Sequence, residues 1–180
     1  MPEQEQAALF PNTSVPDEFS GYRGPTACQA ARITYRQLDY WARTDLVVPT
    51  VRDAKGSGSQ RLYSFKDILV LRVVKRLLDT GVSLQNIRVA VEYLRRRGVR
   101  DLAGVTLFSD GTTVYECSSP EEVVDVLRGG QGVFGIAVSG AMKEISGSIK
   151  DFPVERADGG TVEESPEDEL SRRRARRAIG

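Results

Sequence analysis

The sequence predicts an α+β fold: four helices and a β-wing, then a smaller module of hairpin, helix, third strand and final helix. Three observations carry that reading. Apolar residues recur at three- and four-residue spacing as far as Leu94 and at two-residue spacing beyond Asp101. Capping and stop residues punctuate the segments. Charge also divides the chain: 25 Lys+Arg balance 25 Asp+Glu overall, yet residues 22–100 hold sixteen basic against six acidic residues, a net of +10, leaving −10 for the rest. That asymmetry suggests a polyanion partner for the first part only. The expected layout is an arm over 1–21, a winged-helix unit over 22–100, a small α/β dimerisation or effector module over 101–153 and a charged tail over 154–180.

Taken in order, Thr26 precedes Ala27-Cys28-Gln29-Ala30-Ala31, a short helix expected to bury Cys28 and Ala31, and Arg32-Ile33-Thr34 supplies a tight turn. Thr34 is the N-cap of the next helix. There Leu38 and Trp41 face inward, leaving Tyr35, Arg36, Asp39, Tyr40 and Arg43 near the outer face. After Leu46-Val47-Val48 and Pro49 the chain runs out through Arg52 and Lys55-Gly56-Ser57-Gly58-Ser59 and returns at Gln60-Arg61-Leu62-Tyr63, a long hairpin with a cationic tip. Ser64 caps a third helix with Asp67 in its first turn, a stripe of Ile68, Leu71, Val74 and Leu78, and Gly81 as its stop. Ser83 opens a fourth with Leu84, Ile87, Val91 and Leu94, closed by Arg95-Arg96-Arg97 and a C′ glycine at Gly98.

In the second module, Val105–Ser109 and Thr112–Cys117 flank Asp110-Gly111, a hairpin signal. Ser119, Pro120 and Glu121-Glu122 open a helix that Gly129-Gly130 stops. Val133–Val138 reads as a strand buried on both sides or kinked at Gly135, and Met142, Ile145, Ile149 and Phe152 fit a last helix. Residues 1–21 and those from Val154 on carry too few apolar side chains to offset the entropy of ordering, so both ends are expected to lack structure. The arginine-rich stretch from Arg172 to Arg177 reads as a solvated tail, with auxiliary phosphate or RNA polymerase contact as its functional alternative.

Composition excludes much chemistry. The chain has no His and only Cys28 and Cys117, which read as buried fillers, so metal and redox sites lack ligands and no cofactor is expected. No nucleophile has a base beside it, and Glu121-Glu122 lie at a helix N-terminus, so an enzyme is not expected. An acidic start and the absence of a long apolar run point to the cytoplasm and away from membranes.

The remaining chemistry suits double-stranded DNA. Arginine's planar fork fits phosphate or the major-groove edge of guanine, and tyrosine's hydroxyl reaches phosphate. Arg36, Tyr40 and Arg43 fall at i, i+4 and i+7, so one approach of the helix presents all three, while glycines beside Lys55, Ser57 and Ser59 let backbone N–H groups come close to phosphates. The candidate DNA contacts are Thr34, Tyr35, Arg36, Tyr40 and Arg43 on the helix, with Arg52, Lys55, Ser57, Ser59, Gln60, Arg61 and Tyr63 on the wing.

Over residues 24–97 the sequence resembles the MerR family of winged-helix transcription regulators. Ile33-Thr34-Tyr35-Arg36-Gln37-Leu38-Asp39-Tyr40-Trp41 is similar to the family's valine-serine-valine-arginine-threonine-leucine-arginine-tyrosine-tyrosine run, and Arg61-Leu62-Tyr63 to its wing exit. The resemblance implies DNA contacts at Arg36, Tyr40 and Arg61, a promoter operator with inverted repeats, a homodimer, and activation by DNA distortion. The extended wing resembles an actinobacterial branch, some of whose members control growth and cell division. Three departures stand out: Asp39 replaces a usual arginine, Asp45 stands at a usual glycine, and Gly98 interrupts what is commonly a long dimerisation helix. Dimerisation is therefore expected in the second module, through a strand edge or the Met142–Phe152 face, and its effector is unknown. A sequence-tolerant architectural or excisionase-like DNA protein, and an interaction adaptor that has lost DNA readout, are the rival readings.

Overall fold

The computed structural model describes residues 20–53, 60–110, 113–119, 121–122 and 134–158. The expected arm up to residue 19, the wing tip at 54–59, most of the helix after Ser119 and the tail from 159 lie outside the described residues.

Helix α1 (Gly24–Ala31) starts earlier than expected because Pro25 occupies its first turn, where a missing N–H costs nothing. It buries Thr26, Ala27, Ala30 and Ala31; Cys28 is only half-buried, which corrects the sequence reading. The left-handed Arg32 ends it, and Ile33 donates back to the Cys28 carbonyl at 3.0 Å. Helix α2 (Tyr35–Arg43) follows after that short turn. Thr34 accepts from the Gln37 N–H at 3.1 Å, and the Gln37 side chain accepts from the Thr34 N–H at 3.0 Å, a complete capping box. Beyond α2 the chain turns through Asp45 at φ 56°, the left-handed aspartate expected from its place in the sequence.

Helix α3 (Phe65–Asp79) begins at the Ser64 cap. The buried Asp67 accepts through one oxygen, Oδ2, from the N–H of Ser64 at 2.9 Å and from the N–H and hydroxyl of Thr50 at 2.8 Å each, tying the root of the wing to the start of this helix. Gly81 at φ +85° follows its end, as expected. The stripe foreseen on α3 is too narrow: Leu69, Val70, Val73 and Leu77 are buried as well as Ile68, Leu71 and Val74. The helix is central rather than peripheral. Helix α4 (Leu84–Arg96) does not end at a left-handed glycine. Arg97 turns extended, Gly98 at φ −67° starts a further one-turn helix, α5 (Val99–Leu102), and the Lys66 ammonium takes the Arg95 and Arg97 carbonyls at 2.6 and 2.5 Å. A cation from another helix satisfies the orphan acceptors that a Schellman glycine would otherwise leave to its own backbone.

Two small sheets complete the fold. Strand β1 (Ser20–Arg23) lies between β2 (Leu62–Tyr63) and β6 (Glu155–Arg156), antiparallel to both, with Tyr22 opposite Tyr63 and Gly21 opposite Glu155. The expected arm over 1–21 therefore ends inside a strand and the expected tail from 154 opens on one, and the sequence reading missed each because two- to four-residue strands have no periodicity to detect. Gly21 belongs there: a Cβ would meet the Tyr63 carbonyl at 2.8 Å. In the second sheet β3 (Thr106–Ser109) is central between β4 (Val114–Cys117) and β5 (Phe134–Ala137), again antiparallel. Ile136 is buried and Gly135 and Ala137 are exposed, so β5 is covered on one face only, which corrects the alternative of a strand buried on both sides.

Packing does not follow the boundary expected at residue 100. Helix α6 (Val138–Ile149) lies against α1 and α3, and its Val138, Met142, Ile145 and Ile149 share one continuous core with Leu38, Trp41, Ile68 and Leu71. The Met142–Ile149 face is thus consumed inside the subunit and cannot also pair two copies. Arg72, with its side chain 8% exposed, donates to Glu144 at 2.8 Å, and Arg76 donates to the other oxygen of that carboxylate at 2.7 Å. The two guanidinium groups hold the Glu144 carboxyl below its ordinary value of 4.5, Arg72 first. A carboxyl whose folded value is depressed contributes stability that is full above the unfolded value, near 4.5, and is lost as pH falls through the lower folded one. Acid unfolding followed by circular dichroism is expected to be less steep below pH 4.5 in Glu144→Gln than in the wild type.

Candidate nucleic-acid interface

The α1-turn-α2 pair presents its second helix outward. Leu38, Trp41 and Ala42 anchor α2 from beneath, and the Leu46 N–H donates to the Trp41 carbonyl at 2.9 Å, closing the helix end. On the opposite face Tyr35 is 63% and Tyr40 51% exposed, two of the four large hydrophobic side chains left to solvent among the described residues, with Arg36 and Arg43 exposed beside them. Thr34 lies at the same end, its hydroxyl occupied by the cap.

The wing's root is ordered by pairing. Arg52 and Leu62 exchange backbone hydrogen bonds at 3.3 and 2.8 Å, and the Arg52 Nε donates to the Gln60 carbonyl at 2.8 Å across the hairpin. Lys55, Ser57 and Ser59, between those arms, lie outside the described residues. Arg61 points back to α2 rather than outward: its side chain is 20% exposed, and Nη1 donates to Asp39 Oδ1 at 2.9 Å. Tyr63 corrects the sequence reading. It is 0% exposed, its ring lies in the core and burial pushes its phenol well above the usual value, so it holds β2 in place and offers nothing to a ligand surface.

Sequence reasoning also missed which arginines are already engaged. Glu155 of β6 pairs with Arg23 and lies 4.0 Å from Arg52 Nη2, and Glu116 of β4 pairs with Arg97 at 3.0 Å. With Arg72 and Arg76 on Glu144, five cations of the basic segment are met by acids of the later segment. With those five paired, eleven basic against six acidic residues are left in the basic segment, a net of +5, and the remaining cations include Arg36 and Arg43 of α2, Arg61 of the wing and Arg88, Arg95 and Arg96 of α4. The Asp39–Arg43, Glu92–Arg96 and Lys75–Asp79 pairs had a local signal, their i, i+4 spacing, whereas the pairs with Glu116, Glu144 and Glu155 join residues far apart in sequence.

The family model described as "MerR HTH family regulatory protein" matches residues 22–94. That span contains α1, α2, the wing and α3 and stops within α4. Proteins named "uncharacterized HTH-type transcriptional regulator" in Mycobacterium tuberculosis (strain ATCC 25618 / H37Rv) and Mycobacterium bovis (strain ATCC BAA-935 / AF2122/97) are each 74% identical over 172 residues, covering 96% of this chain and 76% of theirs. The chain belongs to the MerR family. This MerR-family chain is a transcription regulator with a helix-turn-helix DNA-binding unit, and the likeness to the mycobacterial regulators runs through the acidic segment as well as the winged one. Among its described residues no helix is long and apolar enough to cross a membrane.

Proposed function

We propose that this MerR-family regulator binds promoter DNA as a homodimer, each subunit placing α2 in a major groove and the wing against the adjacent backbone, on an operator that is an inverted repeat. The observation that carries the reading is the outer face of α2, where Tyr35, Arg36, Tyr40 and Arg43 stand exposed on a helix fixed at both ends and anchored from below. Arginine forks there suit guanine edges and phosphates, and the tyrosines give rigid contacts at low entropic cost. With the Met142–Ile149 face buried within the subunit, two-fold pairing falls to an edge of the β4-β3-β5 sheet, since among the described residues the outer edges of β4 and β5 carry no further strand. The extended-wing branch that the sequence resembles supports genes of growth and cell division as targets, and RNA polymerase as a partner at the promoter; mapping bound sites across the genome tests both.

Binding to a duplex measured against salt is the direct test. With roughly eight phosphate contacts per dimer, the log–log slope is expected near −7. A slope near zero would leave the chain an adaptor. Scanning the bound site with mismatches is expected to cost about 1–3 kcal/mol per wrong base pair, and a flat profile would instead favour an architectural protein.

A further inference from the structure

The recognition helix carries one acid among its cations. Asp39 lies three residues after Arg36 and four before Arg43, and its two oxygens go to different elements. Oδ2 accepts from Arg43 Nε on the same helix at 2.9 Å, and Oδ1 accepts from Arg61 Nη1, on the returning arm of the wing, at 2.9 Å. Asp53, on the outgoing arm, approaches the Arg61 Nε to 3.6 Å. A hydrogen bond from Arg61 above all, with help from Arg43, holds the Asp39 carboxyl below the usual carboxylate range, so it is charged at neutral pH. The contact is an ion pair that joins helix to wing.

We propose that Asp39 is a positioning residue for DNA readout: it holds the wing's Arg61 and the helix's Arg43 at one fixed spacing, so that α2 and the wing meet a duplex as a single template. The proposal rests on the DNA-binding reading above. Each guanidinium has five donors, and Asp39 takes one from each, which orients the fork without exhausting it. An arginine held beforehand has less rotamer freedom to lose when it meets phosphate or a base edge, so the clamp favours binding at the one geometry it enforces. A carboxylate with both oxygens on arginines is also a poor acceptor for cytosine's amino group, which is why Asp39 acts through its partners and not on a base.

An opposite effect is chemically open: Asp39 could compete with DNA for the two arginines and restrain binding to every sequence. The signs differ, and the measurement separates them. Duplexes that the wild-type chain selects from a randomised pool, and a scrambled duplex of equal length, are titrated with the full chain, Asp39→Asn, Arg61→Ala and the double variant. Asp39→Asn is expected to lose on the order of tenfold in affinity for the selected duplexes and little for the scrambled one, with the salt slope unchanged. In the Arg61→Ala background the same change is expected to cost much less, because the group it positions is gone. Arg61→Lys, which keeps the charge and loses the planar fork, is expected to reproduce the loss of preference and covers the case in which Asp39→Asn melts early. Tighter binding of both duplexes by Asp39→Asn, an equal loss with and without Arg61, or no change at all overturns the clamp. A wild-type chain that selects nothing from the pool overturns the sequence-specific reading above and the clamp with it; selection by the wild type with an indifferent Asp39→Asn sinks the clamp alone.

Discussion

Arg36→Ala is expected to weaken binding to the operator by about 1–3 kcal/mol and to blur base preference at the position it reads. Arg36 stands on the outer face of α2, one turn before Tyr40, and its side chain is exposed on a helix whose cap and buried Leu38 and Trp41 do not depend on it. The substitution should therefore leave the melting temperature where it was and act on the complex alone. Two titrations, one on the selected duplex and one on a scrambled duplex, check this: the gap between them should shrink. Lys55→Ala provides the contrast, since a cation reaching only phosphate is expected to weaken every duplex alike and to flatten the salt slope by about one unit per subunit. An Arg36→Ala protein with both affinity and preference intact would mean that α2 is not the reading element.

Ile145→Ala is expected to destabilise the whole chain by about 2–5 kcal/mol. Ile145 is 0% exposed on α6, in the acidic segment, and belongs to the same apolar cluster as Leu38, Trp41 and Leu71 of the winged unit. Truncating it leaves a cavity between α6 and the helices it covers, so the cost falls on a shared core. Denaturant unfolding followed at once by far-ultraviolet circular dichroism and by loss of duplex binding should give one transition for both signals, with a lowered midpoint in the variant. If the winged unit instead unfolded at its wild-type midpoint while only part of the helical signal moved, the segments would be independent and the single core would be wrong. The result bears on function because the central α3 touches α1, α6 and the wing strand.

Much of the first hundred residues was legible because its determinants are local. The capping boxes at Thr34 and Ser64, the stop at Gly81, the left-handed Asp45 and the outward Tyr35, Arg36 and Tyr40 are each set by residues within one or two turns of one another. Where the reading went wrong, the deciding residue was distant. α4 does stop just before Gly98, as read, but not through a left-handed glycine, because Lys66 from α3 takes the Arg95 and Arg97 carbonyls. Tyr63 matched a surface motif, yet β1 and the core enclosed it. Charge suggested two modules, and Glu144 turned that charge difference into a joint between them through Arg72 and Arg76.

What the order of residues determines alone is the winged helix-turn-helix with its caps and the basic outer face of α2, since hydrophobic period, cap chemistry and charge act over a few residues. Only the tertiary structure decides which cations remain for DNA, that α6 completes the core of the winged unit, and that Asp39 spans helix and wing. Those outcomes depend on pairs such as Arg72 with Glu144, 72 residues apart, and Arg61 with Asp39, 22 apart. Local pattern says nothing about such pairs, because the two groups come within reach only once the chain has packed, with the guanidinium largely withdrawn from water and the carboxylate still partly exposed.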